Sequence, residues 1–324
     1  MNSITLNSKA NHHGSGPPPT CAIVVTFFPD EQLASRLATI VAESAHVIVV
    51  DNGSLGEMLL SLAALGDRVE LLRQGANLGL ATALNIGVRR AIALGFSWVV
   101  TFDQDSQPVP GMVAALWTTH CQQPAAAVIG PRIEDYDAAH SRYRWVRPHP
   151  KCRWFFQRIE CIDRDLFDVT LLVTSGSLME VAVWTQLAGF DESLFIDYVD
   201  TDYCLKVLRS GRSLAVTAEA KLQHRVGARQ PGRLLGRDLR PMHHAAFRHY
   251  YIARNRVGMW RRHARAVPHW ALFDLAFACF NGFRVLAFES EKWAKVKAIV
   301  LGTMDGLRGL GGPCSLARHK SLTP

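Results

Sequence analysis

The chain has 324 residues, of which 48% are hydrophobic and 20% are charged, and its formal net charge is +8. This composition is that of a globular protein with an adequate core, and it excludes a largely disordered chain. The basic charge favours anionic partners such as phosphates, acidic lipids or nucleic acid, and does not choose among them.

The cysteine pattern and the N-terminal residues indicate the cellular compartment of the protein. The seven cysteines are scattered, odd in number and form no C-x-x-C pair, which indicates a reducing cytoplasm and argues against a zinc site or a disulfide framework. Residues 1–20 are polar, include a Gly-Ser-Gly-Pro-Pro-Pro stretch and contain no apolar segment of a secretory signal. We therefore expect a disordered tail at 1–20 and a cytoplasmic protein without a membrane span.

From residue 21 onward, strand-like and helix-like segments alternate. The predicted strands are at 22–27, 47–50, 69–72 and 97–102, and the predicted helices are at 31–44 and 81–94. This order predicts an α/β domain with a mostly parallel central sheet flanked by helices. In such sheets, ligands bind beyond the carboxyl ends of the strands.

The strand at 97–102 ends at Asp103-Gln104-Asp105. Two carboxylates one residue apart can reach one divalent cation and the phosphates that it carries, and carboxylate oxygens suit Mg²⁺ or Mn²⁺. The alternative is that both residues only form the turn after the strand.

Two earlier turns carry polar candidates for the same edge of the sheet. Asp51 ends the second strand, where it would accept hydrogen bonds from a nucleotide base or ribose, or would only start a turn. Asn77 and Gly79 precede a helix, which suits a phosphate or a base edge as well as a plain strand-to-helix turn. The convergence of Asp51, Asn77, Asp103 and Asp105 at one edge is stronger evidence than any one of them.

The second half of the domain is less regular. A helix at 110–120 and a strand at 125–129 precede a long loop at 140–158, in which basic and aromatic residues are interleaved. We predict that this loop contacts an acceptor or forms an interface. The alternative is a solvated loop that folds over the core. Further strands are predicted at 169–173 and 214–217, with helices around 181–184 and from 201 to Gly211.

Three carboxylates cluster where the later helix begins. Asp200 and Asp202 would lie at its N-terminus, and Asp197 is close by. Negative charge at a helix N-terminus is favourable in itself, but a carboxylate there that faces a nucleotide pocket can also act as a general base. His224 follows the last strand and would either be structural or complete a metal or diphosphate site.

The C-terminal part is basic and helical. Eleven arginines and one acid, Asp238, lie between Arg225 and Arg265, and an apolar segment follows from Trp270 to Phe288. One interpretation is that these two helical segments bind an anionic membrane surface. The other is that they pack on the domain and turn a basic face to solvent, and both alternatives stay open. We place the α/β domain at 21–235 and a basic, amphipathic helical region at 236–324.

Several motifs occur in an order that resembles the family 2 glycosyltransferases with the GT-A fold, in particular bacterial rhamnosyltransferases that use dTDP-L-rhamnose. The resemblance covers about 21–256. Its motifs are Val49-Val50-Asp51-Asn52-Gly53-Ser54, Asn77-Leu78-Gly79, Phe102-Asp103-Gln104-Asp105, Ser175-Gly176-Ser177, Gly189-Phe190-Asp191-Glu192, Asp200-Thr201-Asp202 and His224. Many members carry Glu-Asp at the catalytic base, whereas this chain has Val199-Asp200.

The resemblance implies a role for each matching position. Asp51 binds the base, Asp103 lies near the ribose and diphosphate, and Asp105 coordinates Mg²⁺ or Mn²⁺. Asp200 is the catalytic base, with Asp197 and Asp202 as alternatives, and His224 helps to hold metal or diphosphate. Asn77 and Asp202 are further candidates for donor binding. The implied reaction is an inverting, metal-dependent transfer of L-rhamnose to a hydroxyl of a cell-surface polysaccharide or lipid-linked glycan.

Two other functions are compatible with such a sheet. A sugar nucleotidyltransferase would need a Gly-rich triphosphate loop with Arg or Lys near the N-terminus, and residues 26–30 read Thr-Phe-Phe-Pro-Asp. The second alternative is a non-enzymatic, basic protein that binds a membrane surface. This hypothesis agrees with the basic C-terminal part and disagrees with the carboxylates at the edge of the sheet. Those carboxylates would also repel a nucleic acid, so none is expected as a partner. The expected location is cytoplasmic, at the inner face of the cell membrane if the C-terminal helices bind it, and the sequence does not define the oligomeric state.

Overall fold

The computed structural model describes residues 16–54, 65–135, 143–224, 232–234, 237–239 and 245–315, so the predicted tail lies almost entirely outside the described residues. The strands are β1 (Thr20–Thr26), β2 (His46–Asp51), β3 (Val69–Arg73), β4 (Trp98–Asp103), β5 (Ser106–Pro108), β6 (Ala126–Asp135), β7 (Arg144–His149), β8 (Cys152–Glu160), β9 (Leu178–Glu180), β10 (Ser213–His224), β11 (Gly232–Leu234) and β12 (Arg237–Leu239). The helices are α1 (Leu33–Glu43), α2 (Leu80–Ala93), α3 (Met112–Gln122), α4 (Val181–Gln186), α5 (Val199–Arg209), α6 (Ala246–His263), α7 (Pro268–Phe288) and α8 (Lys292–Leu307).

An eight-stranded sheet in the order β3-β2-β1-β4-β9-β6-β10-β5 forms the centre of the molecule. β3, β2, β1 and β4 are parallel, and β6 is parallel to β10. β9 is antiparallel to both β4 and β6, and β5 is antiparallel to β10. The predicted mostly parallel sheet flanked by helices is therefore confirmed.

The prediction of a strand at 169–173 is wrong. In this buried segment, the Thr170 amide donates to the Val146 carbonyl at 2.7 Å, and the Leu172 amide donates to the Cys204 sulfur at 3.3 Å. The segment therefore bonds to β7 and α5, and the adjacent Leu178–Glu180 enters the sheet as β9. A short apolar run shows that a segment is buried and does not show which partner it pairs with.

The loop predicted at 140–158 is largely a hairpin, in which β7 pairs with β8 in antiparallel register. Strand β8 exposes Trp154 and Phe155, and the Arg153 guanidinium lies 5.4 Å from the Trp154 ring centroid. Further along β8, Phe156 contacts Phe273 of α7 at a centroid separation of 5.3 Å. The hairpin therefore supports α7 from outside the central sheet.

The C-terminal region contains a third helix, α8, that the sequence did not predict. α8 packs closely on α6, because a Cβ atom on Gly302 would collide with the Tyr250 carbonyl oxygen and one on Gly306 would lie 2.5 Å from the Arg254 carbonyl oxygen. On α6, Arg254 and Asn255 are buried. α6 is therefore an internal helix, which favours the packed alternative over the membrane alternative for this segment.

We expect Gly302→Ala to lower the free energy of unfolding by about 1–3 kcal/mol, because the added methyl group forces α6 and α8 apart. Gly282→Ala on α7 is the matched control, since a Cβ atom there meets nothing within 4 Å. The control should be neutral or stabilising by up to about 1 kcal/mol, because alanine is the better helix former. Denaturant unfolding of both variants checks this, and equal effects would contradict the close contact.

Candidate active site

A cleft of about 1040 Å³ lies at the carboxyl edge of the sheet. The ends of β1 and β4 form one side of it, and α6 and α7 form the opposite side. Of the residues predicted for a site, Asn77, Asp103, Asp105, Asp197 and Asp200 line the cleft. Of the four residues predicted to converge at this edge, Asn77, Asp103 and Asp105 therefore line the cleft, and Asp197 and Asp200 lie there with them.

Asp51 lies below the surface of this edge. Its carboxylate accepts hydrogen bonds from Thr26 Oγ1 at 3.1 Å and from the Ser54 amide at 3.0 Å, and the residue is 1% exposed. Its neighbour Asn52 lines the cleft instead. Asp51 thus holds the turn that presents Asn52.

Asn52 and Asn77 join two turns of the cleft wall. Asn52 Nδ2 donates to Asn77 Oδ1 at 3.0 Å, and Asn52 Oδ1 accepts from the Leu78 amide at 2.9 Å. Gly53, at φ +97°, allows this approach, since a Cβ atom there would lie 2.6 Å from the Ala76 carbonyl carbon. The two asparagines therefore form one polar corner beside the N-terminus of α2.

Asp103 and Asp105 are held in place by the segment before β9. Ser175 Oγ accepts from the Asp103 amide at 3.0 Å and lies 2.7 Å from Ser106 Oγ. Between the two carboxylates, the Gln104 carbonyl accepts from Arg36 Nε at 2.7 Å. The turn that carries both carboxylates is thus fixed by Ser175 and by Arg36 of α1.

His224 ends β10, and its backbone is in register with Ser106 of β5. The strand end therefore lies close to the Asp103–Asp105 turn. The His224 side chain lies outside the described residues, so the geometry does not address its predicted role.

Asp200 occupies the first turn of α5 and lines the cleft. Burial, together with the nearby charges of Asp197 and Asp103, raises the pKa of its carboxyl group to about 6, although the hydrogen bonds from Thr201 act to lower it. Thr201 donates from its amide at 2.7 Å. A carboxylate with a pKa near neutrality is suited to accept a proton from a substrate hydroxyl.

Asp197 and Asp202 differ from Asp200 in their partners. Asp197 accepts from Nε and Nη2 of Arg248 at 3.1 and 3.0 Å. Asp202 is fully buried outside the cleft lining, 2.9 Å from His263 Nε2 and 3.0 Å from Lys206 Nζ. The predicted contact of Asp202 with a donor does not fit this position, because its side chain joins α5 to α6.

The loop that leads into Asp200 is strained and is clamped by α6. Phe195, Asp197 and Tyr198 have φ values of 63°, 63° and 66°, which non-glycine residues rarely adopt. Asn255 Nδ2 donates to the carbonyls of Leu194, Ile196 and Asp197 at 2.9, 2.9 and 3.1 Å. Arg254 Nη2 donates to the carbonyls of Ser193 and Leu194 at 3.1 and 3.2 Å.

Sequence reasoning missed this clamp. Arg254-Asn255-Arg256 was visible only as part of a basic helix, although an asparagine among helical apolar residues is a signal for a buried polar contact. Arg256 and Trp260 donate to Asp274 Oδ2 at 3.0 and 2.8 Å, and Tyr198 donates to Asp274 Oδ1 at 2.5 Å. The strained loop is thus held by α6 and α7 together.

The fold and the cleft define a glycosyltransferase of the GT-A type. The family model for glycosyl transferase family 2 matches residues 21–184, and the chain belongs to this family. The non-enzymatic alternative and the nucleotidyltransferase alternative are therefore not supported.

Two curated relatives and one solved structure resemble the chain along most of its length. The dTDP-rhamnosyl transferase RfbF of Shigella flexneri is 28% identical over 90% of this chain and 96% of its own length. The N-acetylglucosaminyl-diphospho-decaprenol L-rhamnosyltransferase of Mycobacterium tuberculosis is 26% identical over 74% of this chain and 85% of its own length. The structure of S. aureus TarS 1–349 in complex with UDP-GlcNAc has a TM-score of 0.59 at 13% identity, covers 94% of this chain and 84% of its own, and shows the shared fold.

We expect the turnover rate to rise with pH around an inflection near 6, because Asp200 can accept a proton only when it is ionised and burial raises its pKa to about 6. A rate profile from about pH 5 to pH 8 checks this. Asp163→Asn, a change of an exposed aspartate outside the cleft, is the control and should keep the same inflection. A flat profile would contradict the assignment.

We expect Asn255→Ala to lower turnover while donor binding persists, because the loop before Asp200 loses three hydrogen bonds. At about 1 kcal/mol for each bond, the free energy of unfolding should fall by roughly 2–3 kcal/mol. Gln122→Ala, on the exposed end of α3, is the control for a lost amide. Full turnover in Asn255→Ala would refute the role of the clamp.

Proposed function

We propose that this glycosyltransferase is an inverting, metal-dependent rhamnosyltransferase that uses dTDP-L-rhamnose. The observation that carries the proposal is the meeting of Asp200 with Asn77, Asp103 and Asp105 in one cleft. The name of the Shigella flexneri relative supports rhamnose as the transferred sugar.

The donor lies on the β1–β2–β4 side of the cleft in this proposal. Asp51 binds the base itself or positions Asn52 to bind it. Asn77, which bonds to Asn52, contributes to the same polar corner. Asp103 lies beside the ribose and diphosphate. Asp202 is left out of the donor site because it bonds to His263 and Lys206.

Mg²⁺ or Mn²⁺ fits the Asp105 side of the cleft. Among the described residues, no group of three or more His, Cys, Asp or Glu side chains is placed to hold a metal ion. Magnesium sites with substrate phosphates commonly use one or two carboxylates, so Asp105 together with a diphosphate is a suitable donor set, and His224 is a further candidate. When bound, the metal offsets the charge that develops on the departing nucleoside diphosphate.

Asp200 takes the proton of the acceptor hydroxyl. The acceptor oxygen then forms a bond to the anomeric carbon as the bond from that carbon to the diphosphate oxygen breaks. The electron pair of the broken bond leaves with the dTDP. A single displacement without a protein nucleophile inverts the anomeric centre.

The acceptor in this proposal is a hydroxyl of a cell-surface polysaccharide or a lipid-linked glycan. The name of the Mycobacterium tuberculosis relative, which includes a diphospho-decaprenol acceptor, supports the lipid-linked form. In this proposal, the catalytic domain at 21–235 binds the donor, and the helical region at 236–324 faces the acceptor. The protein then lies in the cytoplasm at the inner face of the membrane.

The test compares binding and hydrolysis of dTDP-rhamnose with those of UDP- and GDP-sugars, with and without Mn²⁺. We expect Asp105→Ala to lose metal-dependent donor binding, because it removes the carboxylate proposed to meet the metal. Asp200→Asn should keep donor binding and lose turnover by about 10²-fold or more, because the general base is gone.

Asp163→Asn again serves as the control variant and should behave as the wild type. If the enzyme prefers a UDP- or GDP-sugar, rhamnose is not the transferred sugar, but the proposed mechanism still holds. Donor binding that is independent of metal and of Asp105 would overturn the proposed metal site.

A further inference from the structure

Helix α7 has its polar side chains on the side that faces the protein. His269 Nε2 lies 2.8 Å from Thr170 Oγ1, and Asp274 accepts from Tyr198, Arg256 and Trp260. Asn281 and Arg284 line the cleft. A helix on the surface of a water-soluble protein normally has the opposite arrangement, with its polar face toward solvent.

The outward face of α7 is entirely apolar. Leu275, Phe280, Phe283 and Leu286 are 46%, 54%, 60% and 56% exposed. Ala276, Cys279 and Ala287 complete this face, which we call the outer face of α7. Such a continuous apolar patch marks a surface that meets something other than water.

We infer that the outer face of α7 inserts into the lipid bilayer and that α7 forms the wall between the bilayer and the cleft. A lipid phase requires an outward face without polar groups, because it offers them no hydrogen bonds, and it turns polar side chains toward the protein or a water-filled cavity. A face that docks on another soluble protein is normally of mixed polarity.

The residues that follow α7 in the chain suit the polar boundary of a membrane. Trp293 at the start of α8 is 83% exposed, and Lys292 and Lys297 are exposed next to it. Tryptophan favours the headgroup region, and lysine complements anionic lipids. The charge and the aromatic side chain thus point to a lipid surface.

The geometry indicates that α7 lies in the surface and does not cross the membrane. By length and composition alone α7 could span, with 21 residues and a mean hydropathy of 1.5. However, on its inner side Asp274 bonds to Arg256 of α6, Arg284 pairs with Glu289 at the end of α7, and Phe273 packs on the β7–β8 hairpin. A helix held in this way immerses one face only.

The cleft is continuous with the inserted face. Phe277 both lines the cleft and is 43% exposed. An acceptor whose lipid stays in the bilayer would therefore meet the cleft at its rim. This consequence rests on the proposed lipid-linked acceptor, whereas membrane insertion itself does not.

Insertion differs from electrostatic adsorption in its response to salt and to lipid charge. We expect the full chain to float with neutral phosphatidylcholine vesicles and to stay bound at about 1 M NaCl, where the screening length is ~3 Å. Added phosphatidylglycerol should strengthen binding at low salt only. Binding that needs phosphatidylglycerol and is lost at high salt would overturn the inference.

The variants locate the contact. Phe280→Asp combined with Phe283→Asp should reduce partitioning by about tenfold or more, because two aromatic side chains are replaced by charges. Ile92→Asp, at a 39% exposed position on α2, is the matched control and should bind as the wild type does. Equal loss in both, or loss in neither, would refute α7 as the contact.

Two further measurements separate the remaining outcomes. Light scattering in the absence of vesicles tests whether a second copy covers the outer face, and a dimer that the Phe280→Asp, Phe283→Asp variant abolishes would overturn the inference. Donor hydrolysis in solution should be the same in this variant and in the wild type, since neither residue lines the cleft. Failure of hydrolysis in both proteins would count against the proposed function and leave the vesicle result valid.

Discussion

The contact between α6 and the loop before α5 is the interaction on which the cleft depends. Left alone, a loop with left-handed conformations at Phe195, Asp197 and Tyr198 would relax, since each costs of order 1–3 kcal/mol. Asn255 and Arg254 compensate by bonding to the carbonyls of this loop from a buried position. The strain fixes where Asp200 points, so C-terminal residues set the geometry of a group that the central domain supplies.

Charge balance explains why so many carboxylates can share one cleft. Asp197 and Asp274 are paired with Arg248 and Arg256, whose positive charges come from α6. Asp200 has no such ion pair among the described residues, and burial together with the charges of Asp197 and Asp103 raises its pKa to about 6. The basic character of α6 is therefore used inside the molecule, next to the cleft.

Much of the cleft could be predicted because parallel strands bring their carboxyl ends to one edge. Asn77, Asp103 and Asp105 follow from that geometry alone. The residue patterns alone could not tell whether Asp200 or Asp202 faces the cleft. Residues two positions apart on a helix are about 200° apart around its axis, so the two side chains point to different sides, and the sequence does not tell which side faces the cleft. Asn255 was missed because its role depends on a loop some sixty residues earlier in the chain.

The docking of the segment near Gly312 on the loop has a consequence for synthesis of the protein. The Gly312 amide donates to the Ser193 carbonyl at 2.6 Å, and the Gly312 carbonyl accepts from Arg254 at 2.5 Å. The Cys314 amide donates to the Tyr251 hydroxyl at 2.8 Å. Chains fold from the N-terminus as they leave the ribosome. The strands and helices before the loop can therefore form first, while the contacts that hold the loop before Asp200 are complete only after residue 314 has emerged.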